Sequence, residues 1–304
     1  MKVVLCTGYG PPEVLKISDV PKPIPKKDEV LVHIQSTAVN SGDIRTRALD
    51  VKGPLKIAMR VVMGWNRPRN PILGTVYSGI VEKVGETATS FKIGDRVFGC
   101  SPGFKFGCYA EYITVKESTA ITKMPESASF DEAVSLLFGG TTALYFLNKA
   151  NPTRGQTILI YGASGAVGTS AVQAARNMGL VITAVSSGKN EELVRSLGAD
   201  TFRDYTSTDF WERTPKYDIV FDAVGKLSKK QLATLTRKDG KSITVGALDV
   251  ARETKQQLEQ LKTWFDSGKL KTVIDHTYSL EEIQEAHSYV DKGHKVGNVV
   301  VNIN

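Results

Sequence analysis

The sequence predicts an α/β chain in two parts: a doubly wound parallel sheet domain inserted in a smaller, β-rich domain. Three observations carry this. From residue 157 onward, near-continuous apolar strands alternate with helices, the pattern of a parallel sheet covered on both faces. The stretch before about residue 120 reads instead as short strands broken by glycine and proline. The last apolar segment, NVVVNI (298–303), reads as a strand that returns to the first domain. The expected boundaries are 1–121 and 271–304 for the two pieces of the β-rich domain and 122–270 for the inserted one.

In the first piece, PKPIPKK (21–27) is a stiff connector that is neither helix nor central strand. DEVLVHIQSTAVN (28–40) alternates, with Val30, Val32 and Ile34 on one face and Leu31, His33 and Gln35 on the other, as a half-buried strand does. GIVEKVG (79–85) and GDRVFG (94–99) are further short strands. ASFDEAVSLLFGGTTALYFLNKA (128–150) reads as helix with a break at Gly139-Gly140. Then TILIYG (157–162), VITAVSS (181–187), YDIVFDAVG (217–225) and KSITVGAL (241–248) read as buried strands, with helices at 165–179 and 190–200 between the first of them.

Composition narrows the function classes. Of 304 residues, 41% are hydrophobic and 23% charged, a globular balance. No apolar run reaches the roughly 20 residues of a bilayer span, and the N-terminus lacks signal-peptide features, so no membrane partner is expected and the expected location is cytoplasmic. Three cysteines, Cys6, Cys100 and Cys108, form no CxxC pair and read as reduced thiols. The net charge of +7 suits an anionic ligand, but RPR (67–69) and KK (229–230) lack interleaved aromatics, and nucleic acid is not an expected partner.

YGASGAVG (161–168) carries three glycines behind an apolar strand and ahead of a small-residue helix. That setting predicts a dinucleotide-binding (Rossmann) loop. Gly162 makes the turn. Gly165, with the backbone amides of Ala166 and Val167, approaches a pyrophosphate at the helix N-terminus, and Ser164 adds a hydroxyl donor. Gly168 permits close helix–sheet packing. The alternative is a structural strand-to-helix turn. Where sites for the non-phosphorylated dinucleotide carry an acid, at the end of the second strand, this chain has Ser186, Ser187 and then Lys189. Hydroxyls and an ammonium favour a 2′-phosphate, so NADPH is the expected cofactor. Lys189 also reads as an ordinary loop lysine, and Tyr205 either covers the 2′-phosphate or adenine or packs locally. Ligands of open parallel sheets lie at the carboxyl ends of the strands. This extends the site to Val224 and to Gly246, Ala247 and Leu248, with the nicotinamide expected in a cleft between the domains.

Taken together, YGPPEVLK (9–16), EVLVHIQSTAVNSGD (29–43), ILGTVYSGIVEKVG (72–85), FKIGDRVFG (91–99), YAEYITV (109–115), GGTTALYFL (139–147), YGASGAVG, SLGAD (196–200), FDAVG (221–225) and GHKVGNVVV (293–301) resemble the medium-chain dehydrogenase/reductases over nearly the whole chain. The resemblance is to their zinc-independent quinone oxidoreductase and enone reductase (zeta-crystallin-like) branch. It implies a GroES-like catalytic domain around the nucleotide domain. It also implies a zinc-free, NADPH-dependent oxidoreductase that passes hydride to a quinone or an α,β-unsaturated carbonyl. Zinc-dependent relatives carry a cysteine just before the Asp of the segment matching NSGD, where this chain has Asn40, Ser41 and Gly42, and a His-Glu pair where it has Thr75-Val76; no metal is expected here. By the same resemblance, Asn40 and Asp43 stand beside the nicotinamide as positioning residues, and Thr142, Lys295 and Asn298 lie on the cofactor side.

Two departures stand out. Many relatives have a substrate-facing tyrosine where this loop continues Ile44-Arg45, which puts Arg45 on the substrate side. The segment KIAMRVVMGWNRPRN (56–70) is basic and apolar together, a lid, a substrate wall or a surface helix; a bulky apolar substrate with an anionic group would suit it. The chain is also short after ITVGAL, which implies a reduced sheet edge and argues against the family's usual dimer. Two other functions stay open. One is a zinc-free alcohol or aldehyde oxidoreductase, which would need a proton donor such as Tyr77 or Tyr109. The other is a non-catalytic NADPH-binding protein, with RNA as a possible ligand.

Overall fold

The computed structural model describes residues 1–51, 53–103, 105–207, 210–246 and 251–303. It divides into two compact units, one of residues 1–138, 253–263 and 274–304, the other of 139–252 and 264–273.

The first unit opens with an antiparallel pair, β1 (Lys2–Cys6) and β2 (Leu15–Asp19). The long strand β3 (Glu29–Val39) runs directly into α1 (Ser41–Ala48), followed by α2 (Pro54–Met63). Then come β4 (Val76–Val84), β5 (Arg96–Cys100), β6 (Tyr112–Lys116), β7 (Ile121–Lys123) and the short α3 (Phe130–Ser135). The chain continues through α4 (Leu137–Ala150), β8 (Thr157–Tyr161), α5 (Ala166–Asn177), β9 (Val181–Ser186), α6 (Glu191–Ser196) and β10 (Thr201–Asp204). Next are α7 (Phe210–Arg213), β11 (Tyr217–Asp222), α8 (Lys229–Leu235), β12 (Thr236–Thr244) and α9 (Lys255–Asp266). It closes with β13 (Ile274–Ser279), α10 (Ile283–Asp291) and β14 (Asn298–Asn302).

The seven-stranded sheet of the first unit has the order β13-β14-β3-β4-β5-β7, with β6 also paired to β3. β14 lies antiparallel to β3, Val299 opposite Val39, so the C-terminal strand returns to the N-terminal sheet as expected. The alternation read in β3 holds only in part: Leu31 and Ala38 are buried as well as Val30, Val32 and Ile34. A central strand has neighbours on both faces, and α3 packs across β3, β4 and β14, with Ser36 Oγ donating to Asp131 and Ser78 Oγ to the Phe130 carbonyl. With that packing this unit extends to Phe138, past the boundary expected at residue 121.

The second unit is a five-stranded parallel sheet of order β10-β9-β8-β11-β12, the doubly wound arrangement read from the sequence. The helix does not break at Gly139-Gly140. The interruption falls at Leu136, between α3 and α4, and α4 runs through both glycines. Gly139 serves packing instead: a Cβ there would stand 2.2 Å from the Ala166 carbonyl oxygen. Among the described residues the sheet ends at β12, whose Arg237, Lys238, Asp239 and Lys241 are exposed. Charges of this kind discourage edge-to-edge pairing. No helix among the described residues is long and apolar enough to cross a membrane.

Candidate functional site

In the second unit, the loop between β8 and α5 is built by backbone contacts. The amides of Gly162 and Ala163 both donate to the Val185 carbonyl of the neighbouring strand, at 2.9 and 3.0 Å. Gly162 takes φ +81°, and a Cβ there would overlap Val224, so the glycine brings the loop against the end of β11. Gly168 is where α5 crosses the loop: a Cβ would fall 2.1 Å from the Gly162 oxygen. At Gly165 such a Cβ would meet only the Gly162 oxygen, at an ordinary contact distance of 3.7 Å. Gly165 is the N-cap of α5, and no side chain caps that helix. The first-turn amides, Ala166 and Val167 among them, are thus left without a side-chain cap at the positive end of the helix dipole. This cradle fits a pyrophosphate, with Ser164 half-exposed beside it.

At the end of β9, Ser186 is buried, Ser187 is half-buried and Lys189 is exposed. Ser187 Oγ accepts from Asn190 Nδ2 at 3.2 Å. The Tyr205 amide donates to the Ser186 carbonyl, and its ring lies 5.9 Å from that of Tyr161 with one face in solvent. Sequence reading missed Asp204. It pairs in register with Ser186, and its Oδ2 lies against Gly188. Its Oδ1 accepts from the amide and hydroxyl of Thr206, and these hydrogen bonds hold its carboxyl below the usual range. Asp222 was missed too. Fully buried at the end of β11, it accepts from the amides of Val224, Gly225 and Leu227, and so shapes the loop that carries Val224. The spacing in FDAVG, an aspartate ahead of a glycine in a turn, is the signal that could have found it. Thr142 is buried on α4 and Gly246 follows β12 with open space about it. Ala247 and Leu248 lie outside the described residues.

In the first unit, Asn40 caps α1. Its Oδ1 accepts from the amides of Gly42 (2.8 Å) and Asp43 (3.2 Å), and Asp43 returns the favour by accepting from the Asn40 amide. Asn40 Nδ2 donates to Thr75 Oγ1 at 2.8 Å. The two segments that would have to supply a metal-ligand set are thus joined by an amide and a hydroxyl. Among the described residues, no group of three His, Cys, Asp or Glu side chains could hold a metal ion. The donor set here does not fit a catalytic zinc.

Asp43 is fully buried, and burial pushes its pKa up to about 7 against the opposing hydrogen bonds of Asn40 and Tyr109. Behind it lies a polar cluster that the sequence did not disclose: His287 Nε2 is 3.1 Å from Tyr109 Oη, and buried Arg47 pairs with Asp291. Burial brings His287 down to about 3, so it is a neutral packing residue. Arg45 is exposed. Tyr77 requires a correction. It is fully buried, its hydroxyl is unpartnered and packs against Gly99, and it presents no surface to a substrate. As a strand residue of β4 it points into the core. Lys295 is half-buried, donates to the Gly297 carbonyl, and is brought by desolvation down to about 8. Asn298 is buried at the start of β14. All three cysteines are free and buried.

Comparison with known proteins agrees with this arrangement. Residues 26–126 match the alcohol dehydrogenase GroES-like domain, and 197–301 match the family described as zinc-binding dehydrogenase. The chain is 34% identical to 2-methylene-furan-3-one reductase of Solanum lycopersicum, over 99% of this chain and 79% of that one. It is 31% identical to the NADPH-dependent alkenal/one oxidoreductase, chloroplastic, of Arabidopsis thaliana, with the same coverage. The solved quinone oxidoreductase of Coxiella burnetii superposes with a TM-score of 0.85 at 25% identity, covering 100% of this chain and 99% of the other.

Proposed function

This chain belongs to the zinc-independent quinone oxidoreductase and enone reductase branch of the medium-chain dehydrogenase/reductases, and from that premise we propose that it reduces α,β-unsaturated carbonyls and quinones with NADPH. The observation that carries the reading is the Asn40–Thr75 hydrogen bond standing where metal ligands would be, in a chain whose pyrophosphate cradle is intact. The nicotinamide, when bound, supplies the hydride; the protein supplies position and shelter from water.

The residues that would hold the cofactor are Gly162, Ser164, Gly165, Ala166 and Val167 at the pyrophosphate, Ser187 and Lys189 at the 2′-phosphate, Tyr205 beside them, and Val224 and Gly246 along the strand ends. Asp204 is an acid beside the end of β9. Its hydrogen bonds with Thr206 keep it ionised, so it opposes a 2′-phosphate, and the exposed Lys189 ammonium would have to offset it. Thr142, Lys295 and Asn298 belong to the nicotinamide side. Asn40 is fixed by the α1 cap and by Thr75, and it orients the acceptor or the ribose; Asp43 holds Asn40 in turn. Neither Tyr77 nor Tyr109 exposes its hydroxyl, so the anion left by hydride addition takes its proton from solvent.

The test is a panel of quinones, 2-alkenals, cyclic enones and simple aldehydes, each with NADPH and NADH. Turnover of conjugated acceptors and quinones with NADPH, and little of saturated aldehydes, is the expected result. A preference for NADH would remove the role given to Lys189, and reduction of saturated aldehydes alone would place the chain with the alcohol/aldehyde oxidoreductases.

A further inference from the structure

The segment around α2 is not used by any of this chemistry. Between Asp50 and Glu82 the sequence has no acidic residue and five basic ones, Lys52, Lys56, Arg60, Arg67 and Arg69. The structure makes α2 a surface helix. Met63 is buried and Met59 packs beside it against the core, which fixes the inner face. The outer face is apolar: Ile57 is 60% exposed, Val61 57%, Val62 53% and Trp65, just past the helix, 58%. Four of the eleven large hydrophobics exposed among the described residues therefore fall within nine residues.

The basic groups border this face. Arg60 Nη1 donates to the Trp65 carbonyl with its guanidinium 5.8 Å from the Trp65 ring, and Arg69 Nη2 donates to the Val61 carbonyl. These bonds tie the 65–69 loop to the helix. Among the described residues none of Arg60, Arg67 and Arg69 has a carboxylate partner. An open pocket of about 860 Å³ beside the helix is lined by these three arginines together with Cys6, Val61 and Trp65.

We propose that α2 and the loop to Arg69 form a docking surface for anionic phospholipid membranes, with Ile57, Val61, Val62 and Trp65 entering the interface and the arginines meeting lipid phosphates. An apolar stripe bordered by unpaired cations, with a tryptophan at its end, is the chemistry of a helix that lies in the plane of a membrane surface. The lengths that exclude a span do not bear on such a helix. A second copy of the chain is a poor occupant, because a two-fold contact would bring Lys56, Arg60, Arg67 and Arg69 against their own copies. The surface stands apart from the proposed reaction and does not depend on which acceptor is reduced.

The full-length chain is mixed with vesicles of phosphatidylcholine alone or of phosphatidylcholine and phosphatidylglycerol in equal parts, and binding is read by co-sedimentation and tryptophan fluorescence. Binding to the anionic vesicles only, with a blue shift that Trp65→Phe abolishes and that salt reverses, is expected. Arg67→Ala should weaken binding about fivefold. Ile57→Ser with Val61→Ser should abolish it, while unchanged melting temperatures show that the variants are folded. Equal binding to neutral vesicles, no binding to anionic vesicles at low salt, or variants that bind like the parent would overturn the proposal. So would a dimer in light scattering that Val61→Ser dissolves.

Discussion

The glycine loop of the second unit and the Asn40 node of the first perform related tasks by opposite means. The loop is local: Gly162, Gly165 and Gly168 lie within seven residues, and their backbone does the work. The node is assembled from Asn40 and Thr75, 35 residues apart on different strands' ends, with Tyr109, His287 and Asp291 brought in from elsewhere behind it. A backbone cradle is made by the absence of side chains and can be read as a motif. A side-chain node is made by pairing in space, and only β3 against β4 brings its partners together.

The contrast can be broken first at Gly168. Gly168→Ala puts a methyl 2.1 Å from a backbone oxygen and should cost about 3 kcal/mol or more, read as a large fall in melting temperature or loss of soluble protein. Unchanged stability would mean that the loop is not as close as described. The node should yield more gently. Asn40→Ala removes a cap and the bond to Thr75, for a loss of about 1–2 kcal/mol by denaturant titration. In a cycle with Thr75→Val, a coupling of about 1 kcal/mol is expected, and strict additivity would mean that the Asn40–Thr75 contact contributes nothing.

Gly165→Ala sharpens the comparison, because a Cβ at this position would make only an ordinary contact, 3.7 Å from the Gly162 oxygen. The fold should survive nearly unchanged while NADPH binding weakens about tenfold, seen by isothermal titration. Lys189→Ala should raise KM for NADPH about tenfold and leave that for NADH as it was. Equal effects on both would assign the lysine to the pyrophosphate or to nothing.

The last effect is electrostatic and shows only as a function of pH. Burial raises Asp43 from 3.8 to about 7, so the folded state binds its proton more tightly than the unfolded chain does. Its contribution is fully present below about pH 4 and is lost as the pH climbs to about 7. Measured against Asp43→Asn, the parent's melting temperature should therefore fall between those limits and run level above them. A difference that does not change with pH would mean that the carboxyl is ionised throughout.

Much of the fold was legible because period and punctuation are local properties. The alternation in 28–40, the buried strands after 157 and the return of NVVVNI all depend on neighbours in the chain. Burial of Leu31 was not legible, since it depends on α3 lying over β3. Gly139 was misread as a helix breaker because its reason, the Ala166 carbonyl of a neighbouring helix, lies outside its own segment. Tyr77 was misread for the same kind of reason: only the strand's orientation in the sheet decides that its hydroxyl faces Gly99. Asp204 and Asp222 each act on a turn beside them, yet their meaning rests on strand order, which no short window contains.

The central claim is that hydride passes from a nicotinamide held by the glycine loop to a conjugated carbon without a metal. It is tested most directly with NADPH deuterated at the transferable position, a cyclic enone, and enzyme assayed before and after treatment with a chelator. Product carrying one deuterium at the β-carbon and a solvent proton at the α-carbon, formed at the same rate after chelation, is the predicted result. Product without deuterium, or turnover lost on chelation and restored by zinc, would contradict it.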